Sequence, residues 1–195
     1  RYKKNSTLFN LSGKLNDEKI NLKNISINLL GDHNVLNAAA AISLCLNLGI
    51  KKKVIINSIY KFSGVQRRMT KLFTKNQNEF YDDYAHHPTE ISSVISGVKK
   101  VASNRKIVTV FQPHRYSRVN LLKTDFSKAF LKSDIVILCP IYSAGEKKDK
   151  KYKSIDFAKL ISKNSKTQVI IIKDKIELFQ YLGKNLFKDE IVIAM

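Results

Sequence analysis

The chain has 195 residues, 44% of them hydrophobic, enough for one sizeable core or two small ones. No apolar run approaches the length of a membrane span and no signal-peptide pattern opens the chain, an observation that bears only on the residues shown. A formal net charge of +19 raises nucleic acid or an anionic membrane as partner, but the lysines are scattered among Asn and Ile with no aromatic-basic platform, and the composition argues against both.

Residues 1 to 30 alternate polar and apolar positions around Leu8, Ile20 and Ile25, which predicts two or three antiparallel strands. Gly31-Asp32-His33-Asn34 then precedes an alanine-rich helix over 35–48, closed by Gly49, and a second helix over 52–62 that ends at Ser63-Gly64. In that first motif Asp32 or Asn34 can serve as a plain helix cap, or the amide can offer a donor and an acceptor to a purine edge. The local residues leave both readings open.

The stretch Gly64-Val65-Gln66-Arg67-Arg68-Met69 marks a change of composition, and the domain boundary is set there, giving domains of 1–64 and 65–195. Beyond it, strands over 79–81, 107–111, 135–139, 169–172 and 191–194 alternate with helices over 88–102, 119–131, 155–162 and 176–187. The alternation predicts an α/β fold with a mainly parallel, Rossmann-like sheet and helices on both faces.

The chemistry concentrates at three strand ends. Tyr81-Asp82-Asp83-Tyr84-Ala85-His86-His87-Pro88-Thr89-Glu90 packs acids, phenols and imidazoles before an apolar helical pattern, with Pro88 suited to the first turn and Glu90 to the positive end of the dipole. A solvated polar loop is the plain alternative, but such a mixture at a strand end favours a site, because parallel sheets bind ligands beyond their carboxyl edges. Gln112-Pro113-His114-Arg115-Tyr116-Ser117-Arg118 sets two arginines three apart in a first helical turn, where an anion would compensate them. An internal salt bridge to Asp82, Asp83 or Glu90 is the competing explanation. Pro140-Ile141-Tyr142-Ser143-Ala144-Gly145-Glu146 forms the third loop, and the three together predict one crevice for an anionic substrate.

Arg67, Arg68, Arg115 and Arg118 outweigh the lysines, since a guanidinium fork reads carboxylate and phosphate geometry. All four histidines, His33, His86, His87 and His114, lie in polar motifs, whereas Cys45 and Cys139 lie in apolar runs as reduced core residues, as in a cytosolic protein. The chain has no Gly-x-x-x-x-Gly-Lys-Ser/Thr run, no nucleophile elbow and no zinc-ligand spacing, and no metal ligand is assigned.

Taken in order, Gly31-Asp32-His33-Asn34-Val35-Leu36-Asn37, Arg67-Arg68, Asp82 to Glu90, Gln112 to Arg118 and Tyr142 to Glu146 resemble the Mur ligases, the amide-forming enzymes of peptidoglycan synthesis. The resemblance implies a three-domain cytoplasmic enzyme, of which this chain holds the end of the central ATPase domain and most of the C-terminal domain. The N-terminal UDP-sugar domain and the P-loop would lie elsewhere, and the ends at Arg1 and Met195 are read as those of a fragment that is inactive alone. It further implies ATP as cosubstrate, Mg2+ with ligands outside this chain, and UDP-N-acetylmuramate and L-alanine as the partners joined through an acyl phosphate.

By motif match, His33 and Asn34 would meet the adenine with Asn37 on the same nucleotide side, Arg68 the phosphates or ribose, and Asp82 the ribose. Tyr84, His86, His114, Arg115 and Arg118 would line the amino-acid side, the arginines pairing with its carboxylate. A ligase that re-attaches recycled murein tripeptide shares the His-His-Pro motif and is the first alternative. A basic nucleic-acid-binding module, resting on charge alone, is the second.

Overall fold

A computed structural model describes the chain except Arg1, Lys4, Asn5, Asn16, Leu30 and Phe187. Its contacts divide it into two compact units, Arg1–Val65 and Gln66–Met195.

In the first unit, β1 (Tyr2–Lys3), β2 (Ser6–Leu15) and β3 (Glu18–Ile27) form an antiparallel sheet in that order. Helices α1 (Asp32–Asn47) and α2 (Lys52–Lys61) follow. Leu22 and Ile25 from the sheet meet Ile42 and Ile55 from the helices, the small core that the polar-apolar alternation prepared. Helix α1 begins three residues before the expected start, and neither Asp32 nor Asn34 caps it. The N-cap is Gly31, at φ +101°, where a Cβ would lie 2.7 Å from Cε1 of His33, so any other residue would strain the backbone and have to displace that ring.

The second unit is built on a six-stranded sheet in the order β4-β5-β9-β6-β7-β8. Its strands are β4 (Thr70–Lys75), β5 (Asn78–Asp82), β6 (Ile107–Phe111), β7 (Ile135–Leu138), β8 (Gln168–Ile171) and β9 (Ile191–Ala194). All pairings are parallel except β4 with β5, so the α/β class and mainly parallel sheet stand as read. Strand β4 is an addition that the sequence reading passed over. It joins β5 through Asn76 and Gln77, at φ 52° and 65°, the paired positive values of a type I′ hairpin turn.

Between the strands run α3 (Pro88–Val101), α4 (Tyr116–Leu121), α5 (Lys123–Lys128), α6 (Ser154–Ser165) and α7 (Lys175–Asn185). The helix expected over 119–131 is two short ones, broken at Leu122 where φ is −109° and ψ 22°. The last helix was expected to reach Phe187, which lies outside the described residues.

Alternation along the strands sorts the core into two layers. Ile107 and Phe111 of β6 join Ile95, Phe126 and Phe157 from α3, α5 and α6, and Phe130 from the turn after α5, on one face. Val108 and Val110 point the other way, with Ile137 and Val192, and meet Leu178, Tyr181 and Leu182 of α7. Successive crossovers from β6 through β8 step outward along one face, and the chain then returns over the other face to insert β9 between β5 and β6. That reversal of direction is the topological switch at which open α/β sheets bind ligands.

Candidate active site

Strand β5 delivers Asp82, Asp83 and Tyr84 to the carboxyl edge. Asp83 is 3% exposed and works inward: its carboxylate accepts from the backbone N–H of Met69 and of Ala85, both at 2.8 Å. The Tyr84 N–H donates to Arg67 O, so residues 67–69 are tied to the strand end on both sides. Asp82 faces Arg67 at 3.5 Å, and the Arg67 guanidinium lies 4.4 Å from the centre of the Tyr84 ring, a cation over an aromatic face.

The turn into α3 is a capping box. His87 is the N-cap, its Nδ1 accepts from Thr89 N–H, and the Glu90 carboxylate accepts from the backbone N–H of His87. Pro88 stands in the first turn as read from the sequence. Glu90 also accepts from the N–H of His86 at 3.1 Å and lies 3.4 Å from His86 Nδ1. Burial resists its ionisation, but the amides of His86 and His87, the His86 ring and Arg68 together hold its carboxyl below the ordinary carboxylate range.

Beyond β6, Arg115 adopts φ 116° and ψ 167°, a backbone region used almost only by glycine, and forms the N-cap of the six-residue α4. Arg115 thus precedes the helix, and Arg118 sits in a helix whose first and last turns overlap, so the dipole argument for an anion there loses its basis. Arg118 Nη1 donates to His114 Nδ1 at 3.1 Å and to His114 O at 3.2 Å. With Nδ1 accepting, the His114 proton resides on Nε2. Burial first, then Arg118, His86 and Arg115, push the His114 pKa below its ordinary value.

The third loop follows β7. Tyr142 stacks on His114 with ring centres 5.4 Å apart, fixed by the Tyr142 N–H donating to Pro113 O. Glu146 accepts from the N–H and hydroxyl of Ser117 and stands 3.4 Å from Arg115 Nε. Arg115 therefore does meet an acid within the chain, and that acid is Glu146. Asp82 is engaged by Arg67, Asp83 by backbone amides, and Glu90 by Arg68 at 4.0 Å.

These loops enclose a crevice of about 750 Å3 over the ends of β5, β9, β6 and β7. Of the residues singled out from sequence, Asp82, Tyr84, His86 and His114 line it together. Rings of Tyr84, His86, His114 and Tyr142 run in series, with successive centres 5.2, 6.4 and 5.4 Å apart. Arg115 and Arg118 stand behind His114 and outside the lining, and Arg68 sits on Glu90. His33 and Asn34, half-buried, and Asn37, exposed, belong to the first unit, on α1. The crevice also contains residues the sequence reading did not propose as ligands: Arg67, Gln112, and Asp174, Lys175 and Leu178 at the start of α7. Arg67 was visible as half of an arginine pair, whereas the α7 residues carry no motif. Cys139 lies on the wall, its thiol pushed up to about 11 by burial. Among the described residues no three His, Cys, Asp or Glu side chains are placed to share a metal ion.

Fold and crevice define an α/β ligand-binding domain with its site at the sheet's switch point. Residues 67–195 match the family model of the Mur ligase, glutamate ligase domain. The chain is 43% identical to the UDP-N-acetylmuramate–L-alanine ligase of Pelagibacter ubique (strain HTCC1062), over all of this chain and 41% of that protein. Against the ligase of the same name from Brachyspira hyodysenteriae the identity is 49% over 125 residues, 64% of this chain and 27% of that one. The crystal structure of the UDP-N-acetylmuramate–alanine ligase of Thermotoga maritima is similar at a TM-score of 0.67 and 26% identity, covering 97% of this chain and 41% of that one. A murein peptide ligase from Psychrobacter arcticus shares the fold at a TM-score of 0.68 and 17% identity, covering 98% of this chain and 41% of that one. The chain belongs to the Mur ligase family, whose members are ATP-dependent ligases. It spans about two fifths of the length of the relatives it matches.

Proposed function

We propose that this chain forms the carboxy-terminal part of a cytoplasmic ATP-dependent ligase that joins L-alanine to UDP-N-acetylmuramate through an acyl phosphate, in peptidoglycan synthesis. In that reading 1–64 closes the central ATP-binding domain and 65–195 is the C-terminal domain. The observation that carries it is the convergence of Asp82, Tyr84, His86 and His114 on one crevice with Arg118 fixing His114. Forming an amide from an acyl phosphate is chiefly the management of charge and protons, which imidazoles and guanidinium groups suit.

Each residue then has a task. His33, Asn34 and Asn37 serve the nucleotide, the first two meeting the adenine; Asp82 takes the ribose, and Arg68 the phosphates or ribose. His114, with its proton on Nε2, donates toward the amino acid or the developing oxyanion, and Arg118 keeps it in that form. Arg115 offers the part of its fork that Glu146 leaves open to the amino-acid carboxylate. Tyr84 and His86 line the same side. Among the described residues no cluster of three His, Cys, Asp or Glu side chains is placed to hold Mg2+, so no step here runs through the metal.

The test is phosphate release by the purified full-length protein with ATP and UDP-N-acetylmuramate. Release that depends on L-alanine supports the assignment, while a preference for murein tripeptide over L-alanine would replace it with the recycling ligase. The isolated 195-residue chain, which has no P-loop run, should turn over no ATP.

A further inference from the structure

The three histidines of the second unit have been given different partners. His87 spends Nδ1 on the cap of α3 and is exposed. His114 receives a hydrogen bond from Arg118 on Nδ1, which sets a cation against its ring and opposes any further proton. His86 is arranged the opposite way. Its Nδ1 lies 2.8 Å from Tyr84 O, and because a carbonyl can only accept, Nδ1 must carry the proton. Glu90 Oε2 stands 3.4 Å from the same nitrogen, so a carbonyl and a carboxylate both face the protonated side of the ring. Nε2 is left as a lone pair without a hydrogen-bond partner among the described residues, on a ring that lines the crevice.

We infer that His86 is the general base of the ligation, taking the proton from the incoming amine on Nε2, with Glu90 as the positioning residue that stabilises the resulting imidazolium. The inference rests on the ligase reading above and adds the route of the proton. The amine attacks the acyl carbon, the nitrogen–carbon bond forms, and the bond from carbon to the phosphoryl oxygen breaks, with phosphate leaving on its electron pair. A nitrogen bonded to that carbon becomes far more acidic than a free ammonium, so an imidazole is basic enough to remove its surplus proton, which then passes to water. Carboxylate, imidazole and reacting group stand in the relation of orienter, base and proton source. The titratable and charged groups facing His86 are Glu90 from α3, Tyr84 from its own loop and His114 beyond β6, with Arg68 behind Glu90 and Arg118 behind His114.

The experiment is steady-state kinetics of the full-length protein with saturating ATP and UDP-N-acetylmuramate and varied L-alanine, between about pH 6 and 9. His86→Ala should lower kcat about a hundredfold, keep the KM for ATP within about twofold, and recover part of its rate with added imidazole. Glu90→Gln keeps an acceptor for the amides of His86 and His87 but loses the charge, so kcat should fall about tenfold while the KM for ATP stays within about twofold. A Glu90 that served only to cap the helix would be replaced by Gln with kcat unchanged, and this variant keeps the question decidable if His86→Ala fails to fold. A His86→Ala enzyme that retains kcat and changes only the KM for L-alanine would overturn the inference, as would an unchanged kcat in Glu90→Gln. If the wild-type protein releases no phosphate in response to L-alanine, the ligase reading itself fails and the base assignment falls with it.

Discussion

Arg118 grips His114 at two points, donating from one nitrogen to both the ring Nδ1 and the main-chain oxygen of the residue four before it. A lysine at 118 keeps the charge but carries it on a rotating ammonium at the end of a shorter stem, and so does not hold ring and backbone in one fixed plane as the guanidinium does. In the full-length protein Arg118→Lys should lower kcat/KM for L-alanine by roughly tenfold to a hundredfold, equivalent to about 1.5 to 3 kcal/mol. The KM for ATP should stay near the wild-type value. Weakened ATP binding with unchanged dependence on L-alanine would move Arg118 to the nucleotide side.

At the opposite edge of the sheet, Arg105 binds Glu79 at 2.6 Å and Asp189 at 2.8 Å, and Lys71 meets Glu79 from β4. Chiefly through the Lys71 hydrogen bond, and then through Arg105 against the resistance of burial, the Glu79 pKa falls from 4.5 to about 2. A folded-state value below the unfolded one means the stabilisation is complete above the unfolded pKa and is lost as pH falls through the folded one. That contribution is on the order of 2 to 3 kcal/mol. Glu79→Gln should therefore lower the melting temperature at neutral pH, and its curve should converge with that of the wild type between about pH 4.5 and 2. Parallel curves over that range would show that the pair adds nothing to acid stability.

Gln77 occupies the second left-handed position of the β4–β5 turn, at φ 65°. Glycine there should stabilise the chain by about 0.5 to 1 kcal/mol, because relief of the left-handed cost outweighs the entropy glycine adds to the unfolded state. Thermal unfolding of Gln77→Gly should show a rise of a few degrees, and Gln77→Val a fall. A lower melting temperature for the glycine variant would mean that the turn is not type I′.

Asp83 satisfies two backbone N–H groups from inside the fold. Asn at this position keeps one acceptor and turns an NH2 toward an N–H, which should cost about 1 to 3 kcal/mol in thermal or urea unfolding. A loss below about 0.5 kcal/mol would show that water replaces the carboxylate at Met69 or Ala85.

Apolar runs bounded by polar loops made β6, β7 and β9 legible, since strands buried on both faces read as unbroken Val and Ile. Strand β4 escaped for a definite reason. Its register shifts between Lys71 and Phe73, and the bulge leaves both Leu72 and Phe73 more than half exposed, which erases the period of two. The break at Leu122 was equally hidden, because Val119, Leu122 and Phe126 keep helical spacing across it. At the site, the meeting of the three strand-end loops at one crevice was legible, whereas the individual contacts between loops and the residues arriving from the far face were not. The Arg115–Glu146 pair joins the loops of two neighbouring strands, and Asp174 and Lys175 reach the crevice from the far face of the sheet.

Strand β9 comes last along the described chain yet stands near the centre of the sheet, between β5 and β6, with the backbone N–H of Glu190 donating to the Asn78 side-chain oxygen 112 residues earlier. During synthesis, β5 and β6 leave the ribosome long before the strand that separates them, and neither has its inner partner until residues 191–194 emerge. The second unit must therefore wait with two strand edges open until its last strand is made. Those edges are Ile- and Val-rich and able to pair with another chain, so the interval before β9 arrives is when a nascent molecule is most exposed to aggregation and most dependent on chaperones.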